Sequence, residues 1–298
     1  MREISLVQKQ LCWLAPIRIQ WWRLVFEYET LPGSFEEGDL STLRGVWGKV
    51  LHEQNPALYR QVFEGVGDAS SSQPLYSLRP DVDATGVLWK NPKGTFSVQW
   101  GLWNVSEEDT LALLNLWPTV GTLGIGGRRQ KFRLVCANVL TESLVNWPLA
   151  DLSNGCHLVF SQSLRLMRRE KPLEKPTLRD IVEATLHRLS SLATITASED
   201  LDALVFPKHR TQLWPPFAEE LLELAERIPQ TPWHGIPRTF RRYSGRQERE
   251  VGLKGVAGAL SLPQGPGQLW PLIAAAGTVH IGKGSVFGLG RPFLLPME

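Results

Sequence analysis

The chain has 298 residues, 43% of them hydrophobic and 21% charged, with a formal charge of only +2. That is enough apolar material for one large domain or two, and it excludes a disordered polyelectrolyte and a bulk polycation. No apolar run reaches membrane-spanning length, and Gln8, Lys9 and Gln10 interrupt the N-terminal segment where a signal peptide would be continuous, so a cytoplasmic protein with no membrane partner is expected.

The first predicted element is a strand over Ile17–Glu29, which is β-branched and aromatic with partial alternation. Pro32 and Gly33 end it. A helix follows over Ser41–Glu53, capped by Ser41 or Asp39, with Leu43, Val46, Trp47, Val50 and Leu51 as its apolar face. A short helical stretch begins after Asn55-Pro56. Strands are expected at 74–80 and 87–104, the second interrupted by a turn at Asn91–Gly94. Ser106–Leu116 reads as a helix, with Ser106 capping and Glu107, Glu108 and Asp109 at the favourable end of its dipole. Residues 131–140 close the half as a strand. The order is β α β β α β.

The second half repeats it. A strand is expected at 157–169, a helix at Thr177–Leu192, and a strand pair over 238–262. A short helix follows at Leu269–Ala276, and the last strand spans 287–295. An insertion at about 197–237 carries its own helix, Phe217–Ile228. The predicted fold is therefore α+β, with two tandem ferredoxin-like (RRM-like, βαββαβ) domains at 1–152 and 153–298.

Charge is uneven. Residues 1–152 hold 14 basic against 16 acidic residues, and residues 153–298 hold 18 against 14. The stretch from Arg238 to Lys254 is densest, with six basic residues and two acidic ones. Arg238, Arg241, Arg242 and Arg246, interleaved with Phe240 and Tyr243, read as an RNA groove, the plain alternative being a solvated face. "VHIGKGSVFGLGRPFLL" at 279–295 places Gly282, Gly284, Gly288 and Gly290 around Lys283 and before Arg291. Free N–H groups in such a loop can cradle an anion; otherwise it is a tight turn at a strand entrance. A strand rather than a helix follows, which argues against a Walker A or dinucleotide site and leaves a polyphosphate backbone as the anion. Cys12, Cys136 and Cys156 form no Cys-x-x-Cys pair. They suggest neither a disulfide framework nor a zinc site, and read as buried small hydrophobes. No metal or cofactor is expected.

Two ferredoxin-like units with a glycine-rich loop before the last strand resemble the RAMP superfamily of CRISPR-associated proteins. "RRYSGRQEREVGLKGVAGAL" at 241–260 and "HIGKGSVFGLG" at 280–290 resemble the C-terminal domain of its repeat-RNA endoribonucleases, a likeness that covers roughly 157–295. "LPGSFEEGDLSTLRGVWGKVLHE" at 31–53 looks like that family's first helix. "GTLGIGGRR" at 121–129 is similar to the loop before strand four in related proteins.

The resemblance implies binding of CRISPR repeat RNA and metal-independent cutting of precursor CRISPR RNA. The RNA's own 2′-hydroxyl attacks the adjacent phosphate, leaving a 2′,3′-cyclic phosphate and a 5′-hydroxyl. It also implies retention on the product RNA beside other CRISPR effector subunits. The family's histidine maps onto His52, with Tyr59 and Lys49 as orienting or charge-stabilising groups. Laying Asn55-Pro56 on the family's Asn-Pro instead places the histidine position near Phe63. The second reading is then a non-catalytic repeat-RNA-binding subunit. A phosphate-binding protein of other function is a third.

Overall fold

Alternation in the first strand decides the N-terminal architecture. In β1 (Arg18–Tyr28) Trp22, Leu24, Phe26 and Tyr28 are buried on one face. β1 pairs antiparallel with β3 (Thr95–Trp103) on one side and β4 (Phe132–Ser143) on the other, and β2 (Tyr76–Pro80) adds to β3. The order β2-β3-β1-β4 is that of a ferredoxin-like sheet. The second sheet, β10-β5-β9-β8, repeats it with β5 (Cys156–Leu164), β8 (His234–Ser244), β9 (Arg249–Leu262) and β10 (Phe293–Pro296). The computed structural model describes residues 4–30, 35, 37–65, 74–80, 94–126, 128–145, 155–196, 214–244 and 249–297.

Helix α2 (Glu37–Gln54) covers the N-terminal sheet together with α4 (Glu107–Leu114) and α5 (Trp117–Leu123). Trp47, Trp100 and Trp117 meet between them, fully buried, with ring centroids 4.4 to 6.2 Å apart. Such a cluster supplies the largest apolar area that side chains can bury. Helix α6 (Leu178–Thr196) and α8 (Trp270–Val279) cover the second sheet, and α7 (Ala218–Arg227) packs on α6. The opposite face of β1 is not left open. Ile19 and its register partner Trp103 join the C-terminal core, so an apolar seam connects the two halves.

Several elements differ from the expectations. Helix α2 starts at Glu37, so Asp39 and Ser41 lie inside it and Ser41 is buried. Helix α1 (Leu6–Leu14), capped by Ser5 in a reciprocal box with Gln8, was not expected. Nor was α5, which follows α4 after two turn residues because Pro118 sits at the one helical turn that tolerates it. Strand β5 ends at Leu164 after a register shift; Met167–Arg168 and Lys171–Pro172 then form a separate small hairpin, β6–β7, whose turn residues Arg169 and Glu170 have φ of 48° and 65°.

Strand β8 begins at His234, inside the span assigned to the insertion. Gly235 and Pro237 lie within it, and β8 is an edge strand, where proline is tolerated. A Cβ at Gly235 would meet Gly258 Cα at 2.8 Å, so the glycines facing each other are what let these strands close. The last strand begins at Phe293 rather than residue 287. Cys156 is buried, with its thiol pushed up to about 11 by burial, but Cys12 and Cys136 are exposed, Cys136 because β4 is an edge strand with few covered residues. Among the described residues no helix is long and apolar enough to cross a membrane. The strand expected at 87–93, most of the Asn91–Gly94 turn and residues 197–213 of the insertion lie outside the described residues.

Candidate nucleic-acid interface

The end of α2 gathers three of the expected side chains. His52 is exposed in the last turn, and Lys49 stands one turn earlier, where i and i+3 side chains are neighbours. Asn55 caps the next helix, α3 (Pro56–Tyr59), by accepting from the Leu58 N–H at 3.0 Å. That cap turns the chain so that Tyr59 meets the His52 ring edge to face, at 4.9 Å between centroids. Lys49 also approaches Glu53 at 3.8 Å, an exposed i,i+4 pair that solvent screens.

From Tyr59 a ladder of rings and guanidinium groups continues. A π-helical turn, Arg60–Glu64, places Phe63 parallel to Tyr59 at 4.8 Å. Phe63, the residue at which the alternative alignment puts the family histidine, is buried. Its ring lies on Gly48, where a Cβ would come within 2.6 Å of it. Arg44 of α2 stands 5.0 Å from the Phe63 centroid and 5.0 Å from that of Phe287, and donates to the Tyr76 hydroxyl. Arg242 of β8 stands 4.7 Å from Phe287. Burial lowers the Arg242 pKa, and nearby Arg44 lowers it further.

Phe287 belongs to the glycine-rich loop, which the structure places between the two halves. On one side the Lys283 N–H donates to the Arg165 carbonyl at 2.9 Å and the Gly290 N–H to the Ser163 carbonyl at 3.1 Å. On the other side a Cβ at Gly288, φ 83°, would stand 3.0 Å from the Leu78 carbonyl of β2. Gly288 and Gly290 are buried, so their freedom serves close approach to this chain's own backbone. Gly282 is exposed but also abuts the Arg165 carbonyl, and Gly284 abuts Leu289. Lys283 is exposed beside Arg165, Arg168, Arg169 and His187 in a cavity of about 530 Å³. Arg291 is half-buried, 4.5 Å from the Phe293 centroid.

The basic strand divides. Arg238 is half-buried and donates to the Ser161 carbonyl. Arg241 is exposed, on the face of β8 opposite Phe240 and Arg242 by strand alternation. Tyr243 lies in β8, its side chain outside the described residues, and Arg246 is outside them altogether. Arg44 and Phe287 were missed. The available signal was Leu40, Arg44 and Gly48 at i, i+4 and i+8, which puts one cation in an otherwise small or apolar stripe.

His280 does not face the interface. It is fully buried at φ 56°, and neither ring nitrogen makes a hydrogen bond of normal geometry. Burial first, then Arg79, Arg291 and Arg188, hold its pKa well below the ordinary imidazole value, against a weaker pull from the Ser285 backbone. Arg188 is itself pulled down to about 10 by burial. The unfolded chain therefore binds a proton at His280 below about pH 6.5 that the folded chain refuses. Stability is expected to fall as pH drops through 6.5, by at most about 1.4 kcal/mol per pH unit from this group. His280→Asn should flatten that slope between pH 7 and 5 in urea melts, whatever its effect on stability at pH 7. An unchanged slope would assign the acid sensitivity elsewhere.

The sequence profile described as CRISPR-associated endoribonuclease Cas6 matches residues 158–292. Comparison with curated proteins gives no match. Among solved structures, a Cas6 product complex is similar at 15% identity with a TM-score of 0.55, over 93% of this chain and 99% of that one. Thermus thermophilus Cas6 is similar at 17% identity and a TM-score of 0.52, over 94% and 99%. A chain of a partial Cas6-RT-Cas1--Cas2 complex is similar at 13% identity and a TM-score of 0.54, over 93% of this chain and 46% of that one. At these identities the likeness is one of fold. Residues 158–292 thus match the CRISPR-associated endoribonuclease Cas6 family model, and the backbone has the fold of solved Cas6 structures.

Proposed function

We propose that the protein binds CRISPR repeat RNA and cleaves precursor CRISPR RNA by metal-independent transesterification. The observation that carries this reading is the meeting of His52, Tyr59 and Lys49 at one exposed end of α2, in a chain that matches the Cas6 family model over residues 158–292. The RNA's 2′-oxygen attacks the adjacent phosphorus and the bond to the 5′-oxygen breaks. The 2′-hydroxyl proton leaves to a base and a proton reaches the departing 5′-oxygen. Because the nucleophile is part of the substrate, holding it in line supplies much of the rate. His52 exchanges a proton with one of these oxygens. Lys49 and Tyr59 offer a cation and a hydroxyl to the charge that builds on the phosphate. Arg238, Arg241, Arg242, Lys283 and Arg291, with Arg246 and Tyr243, contribute RNA contacts that outlast cleavage. The product then stays bound for transfer to a CRISPR effector complex.

Repeat RNA incubated in EDTA is expected to be cut once, giving a 2′,3′-cyclic phosphate end. RNA with a single 2′-deoxy nucleotide at the scissile position should bind and stay intact. Cleavage of the deoxy substrate, or cleavage that EDTA abolishes, would falsify the mechanism. The second reading, a non-catalytic RNA-binding subunit, is favoured by the buried phenylalanine at position 63, which has no proton to exchange. Binding of repeat RNA without any cleavage by the unsubstituted protein would select it.

A further inference from the structure

Four exposed or half-exposed arginines among the described residues pair with carboxylates. Arg133 pairs with Glu27 at 2.6 Å, Arg168 with Asp180 at 2.5 Å, Arg179 with Glu226 at 3.0 Å and Arg227 with Glu223 at 4.0 Å. Arg44 and Arg242 do not. Among the described residues neither forms an ion pair, although they flank the same ring and each is half-buried. Two like charges held this close repel, and burial deepens the cost. The packing nevertheless fixes them, Arg44 against Phe63, Tyr76 and Phe287, Arg242 against Phe287. A planar guanidinium fixed by stacking on a ring keeps a fork of donors in one orientation, the arrangement that suits an anion with several oxygens.

The two arginines come from opposite halves of the chain, α2 and β8, and the glycine-rich loop supplies the ring between them. Arg44 also shares its helix with Lys49 and His52, eight residues, or about 12 Å, along the axis from His52. We propose that Arg44 and Arg242, spaced by Phe287, form a clip for the phosphodiester backbone of an RNA strand that crosses the seam and continues towards His52. This rests on the repeat-RNA reading above and adds to it residues of a defined role. Each arginine holds one phosphate. An acidic protein segment would meet the charge but would have no reason to lie on the helix that carries His52 and Lys49.

The test uses the full-length protein and repeat RNA blocked by a 2′-deoxy nucleotide at the scissile position, so that binding is read without cleavage. Arg44→Met and Arg242→Met keep aliphatic bulk against Phe287. Each is expected to weaken RNA binding roughly 10-fold or more, the scale of a lost charge-assisted hydrogen bond. Each should also reduce the slope of log affinity against log salt by about 0.7, and the pair together by about 1.4, the single-strand value per phosphate. Because Arg44→Met could loosen the seam, a second measurement leaves the protein unaltered. Single methylphosphonate linkages, which are neutral, are scanned along the RNA. Linkages at the clip should weaken binding to the wild-type protein and have no further effect on the double variant.

A double variant with wild-type affinity and salt slope, while the wild type still binds and cleaves, overturns the clip and leaves the function standing. So does a methylphosphonate profile that the double variant does not change. Competition by poly-glutamate as strong as by RNA, lost in the double variant, would assign the arginines to an acidic protein surface and overturn the clip. Failure of the wild type to bind repeat RNA overturns the function and the clip together.

Discussion

His52→Ala is expected to lower the single-turnover rate of repeat-RNA cleavage by ~10²-fold or more, the usual scale for a lost general acid or base. Affinity should change little, since contacts to phosphates dominate binding. The ring is exposed and touches Tyr59 by its edge, so its loss removes little buried surface. Melting should therefore move by no more than the ~0.5 kcal/mol typical of surface substitutions. The decisive readout is the pH–rate profile. If His52 exchanges the proton, the limb that reports its titration disappears in the variant. A structural role would lower the rate at every pH alike. A variant with wild-type rate would move the chemistry away from His52, and Tyr59→Phe and Lys49→Ala would then locate it.

Gly290→Ala is expected to act on stability instead, and severely. The residue has φ 72°, and a Cβ there would fall well inside van der Waals contact of the Ile281 carbonyl. The neighbouring bonds cannot yield cheaply. Ile281 N–H donates to the Gly290 carbonyl at 2.9 Å while the Gly290 N–H is held by Ser163. Left-handed backbone costs a residue with a Cβ roughly 1–2 kcal/mol, and overpacking a closed site adds about 1–3 kcal/mol. A loss of about 2–5 kcal/mol is expected in urea melts at neutral pH. Lys283→Ala, on the same loop but exposed, should leave the melt within ~0.5 kcal/mol of wild type. If Gly290→Ala melts like the wild type, the loop is not the joint described above.

Strand and helix periodicity carried most of the fold. β1, β3 and β9 are rich in apolar residues that the sheets bury, and α6 carries a continuous stripe from Leu178 to Leu192. Local signals failed where tertiary contacts overrode them. Gly235 and Pro237 look like loop residues, and only the partner Gly258 shows why they sit in a strand. The loop at 282–290 was legible as glycine-rich, but its glycines had two uses, approach to a ligand or to backbone. The Leu78, Ser163 and Arg165 carbonyls that decide between them are more than a hundred residues away in sequence. His52, Lys49 and Tyr59 were named from the family resemblance, and they lie close along the chain at one end of α2. The seam that joins Arg44 to Arg242 could not be named, since a contact spanning 198 positions leaves no periodic trace.

Helix α1 has a place in the fold at odds with its place in the chain. Leu6, Trp13 and Leu14 are buried in the C-terminal core, Gln10 donates to the Gln268 carbonyl at 2.7 Å, and Lys9 meets Glu220 at 3.2 Å. Helix α1 therefore docks beside helix α8, its Gln10–Gln268 contact spanning 258 positions of chain. Until α8 has been made the apolar face of α1 has no site to occupy, and the C-terminal core stays unfinished until the helix is recaptured. Folding of the C-terminal core is consequently completed only once α8 has emerged, and the interval in between leaves an uncovered amphipathic helix exposed to chaperones and proteases.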